Sequence, residues 1–444
     1  MKNPVNPVKM RHQGHLLRVL GVGFGLAVII GNTIGAGIFR APGSIAAQLP
    51  SLGPFLLVWL AGAVYALLGA ISLAELGTMI PRSGGQYVFS RYALGEYAGF
   101  IVGWSDWISS CGSTAAVALV VGTFSEALVP TVAGKGPAIA AAVTILFAVL
   151  QWRGIVWGSN IQNLTSLLKA LAFLALIIAA FILGGGGALT SPQTNPTSVV
   201  TASAVILSLQ AAIYTYDGWS GVIYFSEEVK HPGRDIPRAL FGGVLTIAAI
   251  YLLVNVALLY VLPMSQIAGK EFAAGEAANV IFGVYGDTIF RSLTIVSMLS
   301  GINALHLMAT RVIFAMSRDG LFTKKAAAVN NGGTPTVSLF MSALVAVLFI
   351  VFGQKFDVVI TVLAFFFVAN YILSFISLFV LRQREPEKPR PYRAWGYPVT
   401  PALALLGSLV FLGGAVAADT KNSLYALLLL AVSYPMFLLM KRLK

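Results

Sequence analysis

An all-α polytopic membrane protein with twelve transmembrane helices is the fold class this sequence predicts. Three observations predict it. Of 444 residues, 57% are hydrophobic and 10% are charged, and the mean hydropathy is +0.84. Soluble domains carry about 25% charged residues, so this chain cannot cover a water-facing surface. The apolar residues gather in runs of about 20, the length that crosses a bilayer. Once those runs are counted off, the cations sort by side. Composition therefore excludes a soluble globular enzyme, a disordered chain and a collagen-like fibre. The single cysteine, Cys111, excludes a disulfide framework and a multi-cysteine metal site.

The elements follow in order. A basic segment, 1–19, carries Lys2, Lys9, Arg11 and Arg18. The apolar run behind it, span 1 at 20–48, is too long for a signal peptide. Spans 2 to 5 are read at 54–80, 95–129, 136–152 and 160–184. Glycine-rich residues 184–187 and 191–196 make a flexible outer connection. Spans 6 to 10 are read at 201–226, 239–262, 287–317, 335–353 and 356–381. A basic connection at 382–397 follows, with Pro386, Pro389 and Pro391. Spans 11 and 12, at 398–417 and 423–440, complete the last part, 398–444. No loop is long enough to be a soluble catalytic domain.

With the N-terminus inside and the spans alternating, 22 of the 29 Lys and Arg fall on the inner side and six on the outer. Lys169 alone lies within a span. This bias satisfies the positive-inside rule with both termini cytoplasmic. The net charge of +13 then reflects topology and contact with anionic lipid, not nucleic acid.

Two spans are interrupted. Span 1 reads Gly31-Asn32-Thr33-Ile34-Gly35-Ala36-Gly37, and each glycine weakens a helix by roughly 1 kcal/mol relative to Ala. Span 6 reads Tyr214-Thr215-Tyr216-Asp217-Gly218-Trp219-Ser220-Gly221. Non-helical backbone at membrane depth is tolerated only against protein or a water-filled cavity. The bland account of Gly31 and Gly35 is close helix packing. A second break five spans later turns the pair into a pointer to a transport site, and an odd number of spans per repeat makes the halves insert with opposite topology. Free N–H groups at Gly35, Ala36 and Gly37 suit a carboxylate. Carbonyls near Thr33, Tyr214 and Asp217 suit an ammonium. Glycine lets the ligand reach the backbone, and an α-amino acid carries both charges on one carbon.

Other polar groups divide less cleanly. Asp217 either caps the second half of span 6, where Asp is favoured, or contacts a substrate cation. Asp106 in span 3 is expected to face protein without a role. Glu75 is expected to pair with a loop arginine, and His306 either lines the cavity or is a packed, hydrogen-bonded residue. The four histidines are scattered, so no metal site is expected. Asn163-Leu164-Thr165 matches a glycosylation acceptor but faces the cytoplasm.

At these breaks the chain resembles the amino acid–polyamine–organocation superfamily, and within it the L-type amino acid transporters and their bacterial relatives. Three more stretches carry the likeness: Glu75 through Pro81, Gly84 and Gly85 to Tyr87; Glu227-Glu228-Val229-Lys230-His231-Pro232 on to Pro237 and Arg238; and Arg311 to Arg318-Asp319-Gly320, then Thr334-Pro335. The likeness is dense to span 9 and thins in spans 11 and 12. It implies a LeuT-like fold with 20–184 and 201–381 as inverted repeats. It implies a carboxylate site on the backbone of Gly35, Ala36 and Gly37, flanked by Thr33, Ile34, Thr215 and Gly218. Ala36 stands where the family often has Ser or Thr, which removes a hydroxyl contact and implies altered binding. Tyr214 matches the family's aromatic gate, its bland alternative being a packing aromatic. Lys169 matches the family's span-5 lysine, whose ammonium takes the place of a sodium ion. A proton-coupling role, or snorkelling to the inner interface, are the other readings of Lys169. Animal relatives join a partner glycoprotein through an outer-loop cysteine, and no such cysteine exists here, so no disulfide-linked heavy chain is expected.

The expectation is a non-enzymatic, sodium-independent amino acid transporter without cofactor or metal, working as an exchanger or with protons in the inner (plasma) membrane. Neutral substrates are preferred because no carboxylate beyond Asp217 is evident. A cationic amino acid or polyamine is the alternative. An ion channel would want a continuous polar stripe, and a membrane enzyme a cluster of His, Asp or Cys.

Overall fold

The computed structural model describes residues 16–186, 200–352, 356–418 and 420–442, without the side chains of 356–364, 418 and 422. Residues 1–15 of the expected segment 1–19, most of the connection after span 5, and Lys355 lie outside these residues. Regular structure among the described residues is helical. Two isolated bridges, Leu20 with Val229 and Val329 with Pro335, are the exceptions.

Span 1 is a bent pair, α1 (Val22–Thr33) and α2 (Gly37–Gln48), meeting at 48°. It is followed by α3 (Leu52–Met79), α4 (Gln86–Leu94), α5 (Glu96–Leu128), α6 (Gly136–Trp152) and α7 (Ile155–Leu183). Next come α8 (Ala202–Tyr216), a 3₁₀ segment (Gly221–Phe225) and α9 (Pro232–Val261). The outer connection folds into α10 (Met264–Ile267) and α11 (Ala273–Phe282) before the long α12 (Gly286–Arg318). The chain ends with α13 (Thr336–Phe352), α14 (Phe356–Arg384), α15 (Val399–Ala418) and α16 (Thr420–Arg442). Among the described residues eight helices are long and apolar enough to cross a membrane, nine with the bent pair. The shorter apolar helices α6 and α13 coincide with expected spans 4 and 9.

The expected boundaries differ from the helices by a few residues at most ends. Two helices start earlier. α7 begins at Ile155 and α9 at Pro232, where proline's fixed φ and missing N–H suit a first turn. The helices α4, α10 and α11 were not expected, because they are short and mixed in polarity.

The packing follows from inverted amphipathicity. On α7 the buried residues are Gly158, Ser159, Gln162, Ser166, Lys169, Phe173 and Ile177, spaced three or four apart along one face. The opposite face exposes Leu164, Leu167, Leu171, Leu174 and Ile178. Lipid accepts that outer face, while the polar stripe turns inward. The centre is α12, buried from Met298 to Ser317 apart from Leu299, and packed against α1, α5 and α7.

Charged clasps close one end of the bundle. Arg311 on α12 grips Glu228 through two hydrogen bonds of 3.0 and 2.9 Å, both side chains buried. Asp319 takes Arg82, Arg91 and Tyr87. Glu75 pairs with Arg382 and Arg390 and accepts from the Ala394 amide, the loop pairing expected of it.

Candidate functional site

The first break spans residues 34–36 between α1 and α2. The Gly31 and Ile34 carbonyls, freed as the helix ends, are taken by Lys169 Nζ at 2.8 and 2.6 Å. Ser297 Oγ donates to Ile34 O as well, at 3.2 Å. Lys169 is fully buried, so it does not snorkel. A cation has been built into the first break by a helix whose buried face carries Ser159, Gln162 and Ser166 alongside Lys169.

The second break spans residues 217–220. Asp217 ends α8, and its amide donates to Tyr214 O at 3.1 Å. Its carboxylate does not cap the segment that follows: that segment begins after Ser220 with no side-chain cap. Instead Asp217 Oδ1 accepts from Tyr371 of α14 at 2.8 Å. Tyr371 in turn stacks on Trp219 with ring centroids 5.1 Å apart.

The two breaks touch. Gly218 has φ +105°, in the region that favours glycine, and a β-carbon there would fall 2.7 Å from Asn32 Nδ2 and 3.0 Å from Thr33 N. Gly37 lies equally close to Thr215, 3.1 to 3.2 Å from an added β-carbon. Tyr251 of α9 stands behind both breaks. Its hydroxyl lies 2.7 Å from Thr33 O and 3.0 Å from Thr215 O.

Beside this junction lies a cavity of about 660 Å³. Of the expected site residues, Thr33, Gly35, Ala36, Gly37, Tyr214, Thr215, Asp217 and Gly218 line it. Ile34 is buried off the wall, and Lys169 stands behind the break on the side away from the cavity. The Gly35 amide, expected to be free, donates to Thr33 O at 2.8 Å; at α2 the first N–H groups have no partner within the helix, which leaves Ala36 and Gly37 as the donors on the cavity wall. The cavity reaches Arg40, Ser44 and residues 269–271 at the end away from the Glu228–Arg311 clasp.

Sequence reasoning missed several wall residues. Asp106 does not simply face protein: it lines the cavity, as do Gln86, Tyr224, Asn370 and Tyr371. Its mid-span charge was the available signal, but which face of α5 meets the cavity depends on long-range packing. Tyr251 carried no signal beyond a hydroxyl in an apolar run. His306 is buried and not on the cavity wall, and its Nε2 has no hydrogen-bond partner among the described residues. No cluster of metal-ligating side chains occurs among the described residues. Cys111 is buried within α5.

Comparison with known proteins identifies the family. Residues 25–434 match the family described as amino acid permease. The chain is similar to the serine/threonine exchanger SteT of Bacillus subtilis, 29% identical over 97% of this chain and 98% of that protein. It is similar to the human b(0,+)-type amino acid transporter 1, 28% identical over 93% of this chain and 86% of that protein. It is also similar to the human large neutral amino acids transporter small subunit 2, 27% identical over 85% of this chain and 72% of that protein. The match spans both breaks and the wall between them, and the chain belongs to the amino acid permease family.

Proposed function

We propose that this protein is a sodium-independent secondary transporter of amino acids that works by alternating access in the inner (plasma) membrane, with both termini cytoplasmic. The observation that carries the reading is the meeting of two helix breaks beside one cavity, with a lysine ammonium already seated on the carbonyls of the first.

The chemistry runs as follows. A substrate carboxylate takes the N–H groups of Ala36 and Gly37 at the positive start of α2, the Gly35 amide being already bonded to Thr33 O. The substrate ammonium takes the second lone pair of the Thr215 carbonyl, together with Tyr214 O and Asp217; Thr33 O already accepts from Gly35 N and Tyr251. Ala36 offers no hydroxyl, so carboxylate recognition rests on the backbone. Tyr214, half-buried on the wall, folds over the ligand from the outer side. Lys169 supplies the positive charge that a bound cation would otherwise bring.

The helix order supports twelve spans with 20–184 and 201–381 as inverted five-helix repeats, followed by the last two spans in 398–444. Rocking of spans 1, 2, 6 and 7 against the rest would then expose the cavity to each side in turn. The reach of the cavity toward Arg40, with the Glu228–Arg311 clasp closed, supports an outward-facing state. Neutral side chains would meet Val117, Leu305, Met308 and Phe367 on the wall; a cationic one would meet Asp106. The lone cysteine is buried in the bundle, which supports function without a disulfide-linked partner.

The test is counterflow in liposomes. Purified protein is reconstituted with an unlabelled amino acid inside and labelled amino acids outside, with and without sodium or a pH gradient. Accumulation of label that ignores sodium is expected. If no amino acid exchanges, or unitary ion currents appear in a planar bilayer, the reading is wrong.

A further inference from the structure

Asp106 sits on α5 with 2% of its surface exposed. Its Oδ1 accepts from Tyr224 at 2.9 Å, while its Oδ2 is buried and has no hydrogen-bond partner among the described residues. The residue lines the cavity. Buried carboxylate oxygens are rarely left without a donor, because an unpaired one keeps its full desolvation cost. Gln86 borders the same cavity, and its Oε1 is also buried and unpartnered. Asp217, by contrast, already has the Tyr371 hydroxyl.

The cations on the cavity wall are placed elsewhere. Arg40 pairs with Glu271, and Lys270 with Glu276, both at the mouth formed by α2 and residues 269–271. Lys169 is spent on the carbonyls behind the first break. The deep end of the cavity is therefore bordered by a carboxylate and an amide oxygen, both covered in this state, with no described protein cation paired to them.

We propose that Asp106 is the side-chain subsite of the transport cavity, taking the terminal ammonium or guanidinium of a cationic amino acid with Gln86 as a second acceptor. The proposal rests on the reading that the substrate's head group binds at the two breaks. A hydroxyl side chain brings one donor and no charge. An ammonium brings three donors and a guanidinium five, which matches an unpaired anionic acceptor beside a neutral one.

Lysine and norleucine give the test, since they share a six-carbon skeleton and differ by an ammonium in place of a hydrogen on the terminal carbon. Half-saturation for labelled lysine, arginine and norleucine is measured in counterflow with the wild-type protein and with Asp106→Asn and Asp106→Glu. Lysine or arginine should bind at least about tenfold more tightly than norleucine in the wild type, the scale of one charged hydrogen bond. The ratio should fall toward one in Asp106→Asn and recover in Asp106→Glu. Equal wild-type affinities for lysine and norleucine would overturn the subsite, as would an unchanged ratio in Asp106→Asn. An inactive Asp106→Asn leaves the wild-type ratio to decide. Failure of every amino acid to exchange sinks the transport reading instead.

Discussion

A β-carbon at Gly31 would fall 2.6 Å from Ser300 Oγ and 2.7 Å from Ser166 Oγ, whereas one at Gly35 would meet nothing nearer than Thr33 O at 3.9 Å. The two glycines look alike in the sequence and are needed for different reasons. Gly31 lets the polar stripe of α7 pack against α1; Gly35 leaves an opening at the cavity. Gly31→Ala should therefore cost stability, about 1–3 kcal/mol for overpacking, read as a lower melting temperature in detergent. Gly35→Leu should melt like the wild type and lose substrate binding. A melting loss at Gly35 equal to that at Gly31 would contradict the assignment. Lys169→Ala should leave the Gly31 carbonyl without its donor and the Ile34 carbonyl with Ser297 alone, and abolish exchange while expression persists; wild-type transport rates in that variant would refute its role. The break motifs and Lys169 were legible because glycines and a charge stand out in apolar runs. Tyr251 and Asp106 were not, because their importance comes from helices distant in sequence.

At the scale of elements, hydrophobic run length placed most of the helices. It does not place short helices such as α4 and α11, whose residues are mixed in polarity and whose helicity depends on docking. Nor does it show that the second half of span 6 is a 3₁₀ segment. Glycines at 218 and 221 bring that segment within close approach of α1, at Asn32 and at Val28, and the chain tightens there. The contact between α12 and the loop after span 6 yields a test. Arg311 and Glu228 are both buried, and removing one partner of a buried pair costs about 3–5 kcal/mol while replacing both can be neutral. Arg311→Met should lower the melting temperature sharply. The double variant Arg311→Met with Glu228→Gln should recover much of the loss. A double variant no more stable than the single would show that the pair is not the source of the cost.

For the whole molecule, the sorting of cations by side constrains the proposed topology more than any single boundary does, because one span miscounted early would scramble it. Its prediction is directional. In a Cys111→Ser background, Lys135→Cys should label with a membrane-impermeant maleimide in intact cells. Lys230→Cys should label only after the cells are opened. Both positions are exposed in the structure, so a reversed pattern would invert the topology. Cys111 itself, buried within α5, should resist the reagent in the folded protein.

The donors that hold the two breaks have a thermodynamic consequence. Lys169 and the Tyr251 hydroxyl fill positions on opened helix backbone, and both are bonded to the chain. A sodium ion in such a place would cross with the substrate and let its own gradient do work. A tethered ammonium cannot cross; at most its proton can. Under the proposed mechanism the only ionic gradient these positions could draw on is that of protons. Without it, net uptake could run only down the amino acid's own gradient, and any accumulation would have to be matched by the release of another amino acid, so the protein would trade one pool of amino acids against another rather than raise the total.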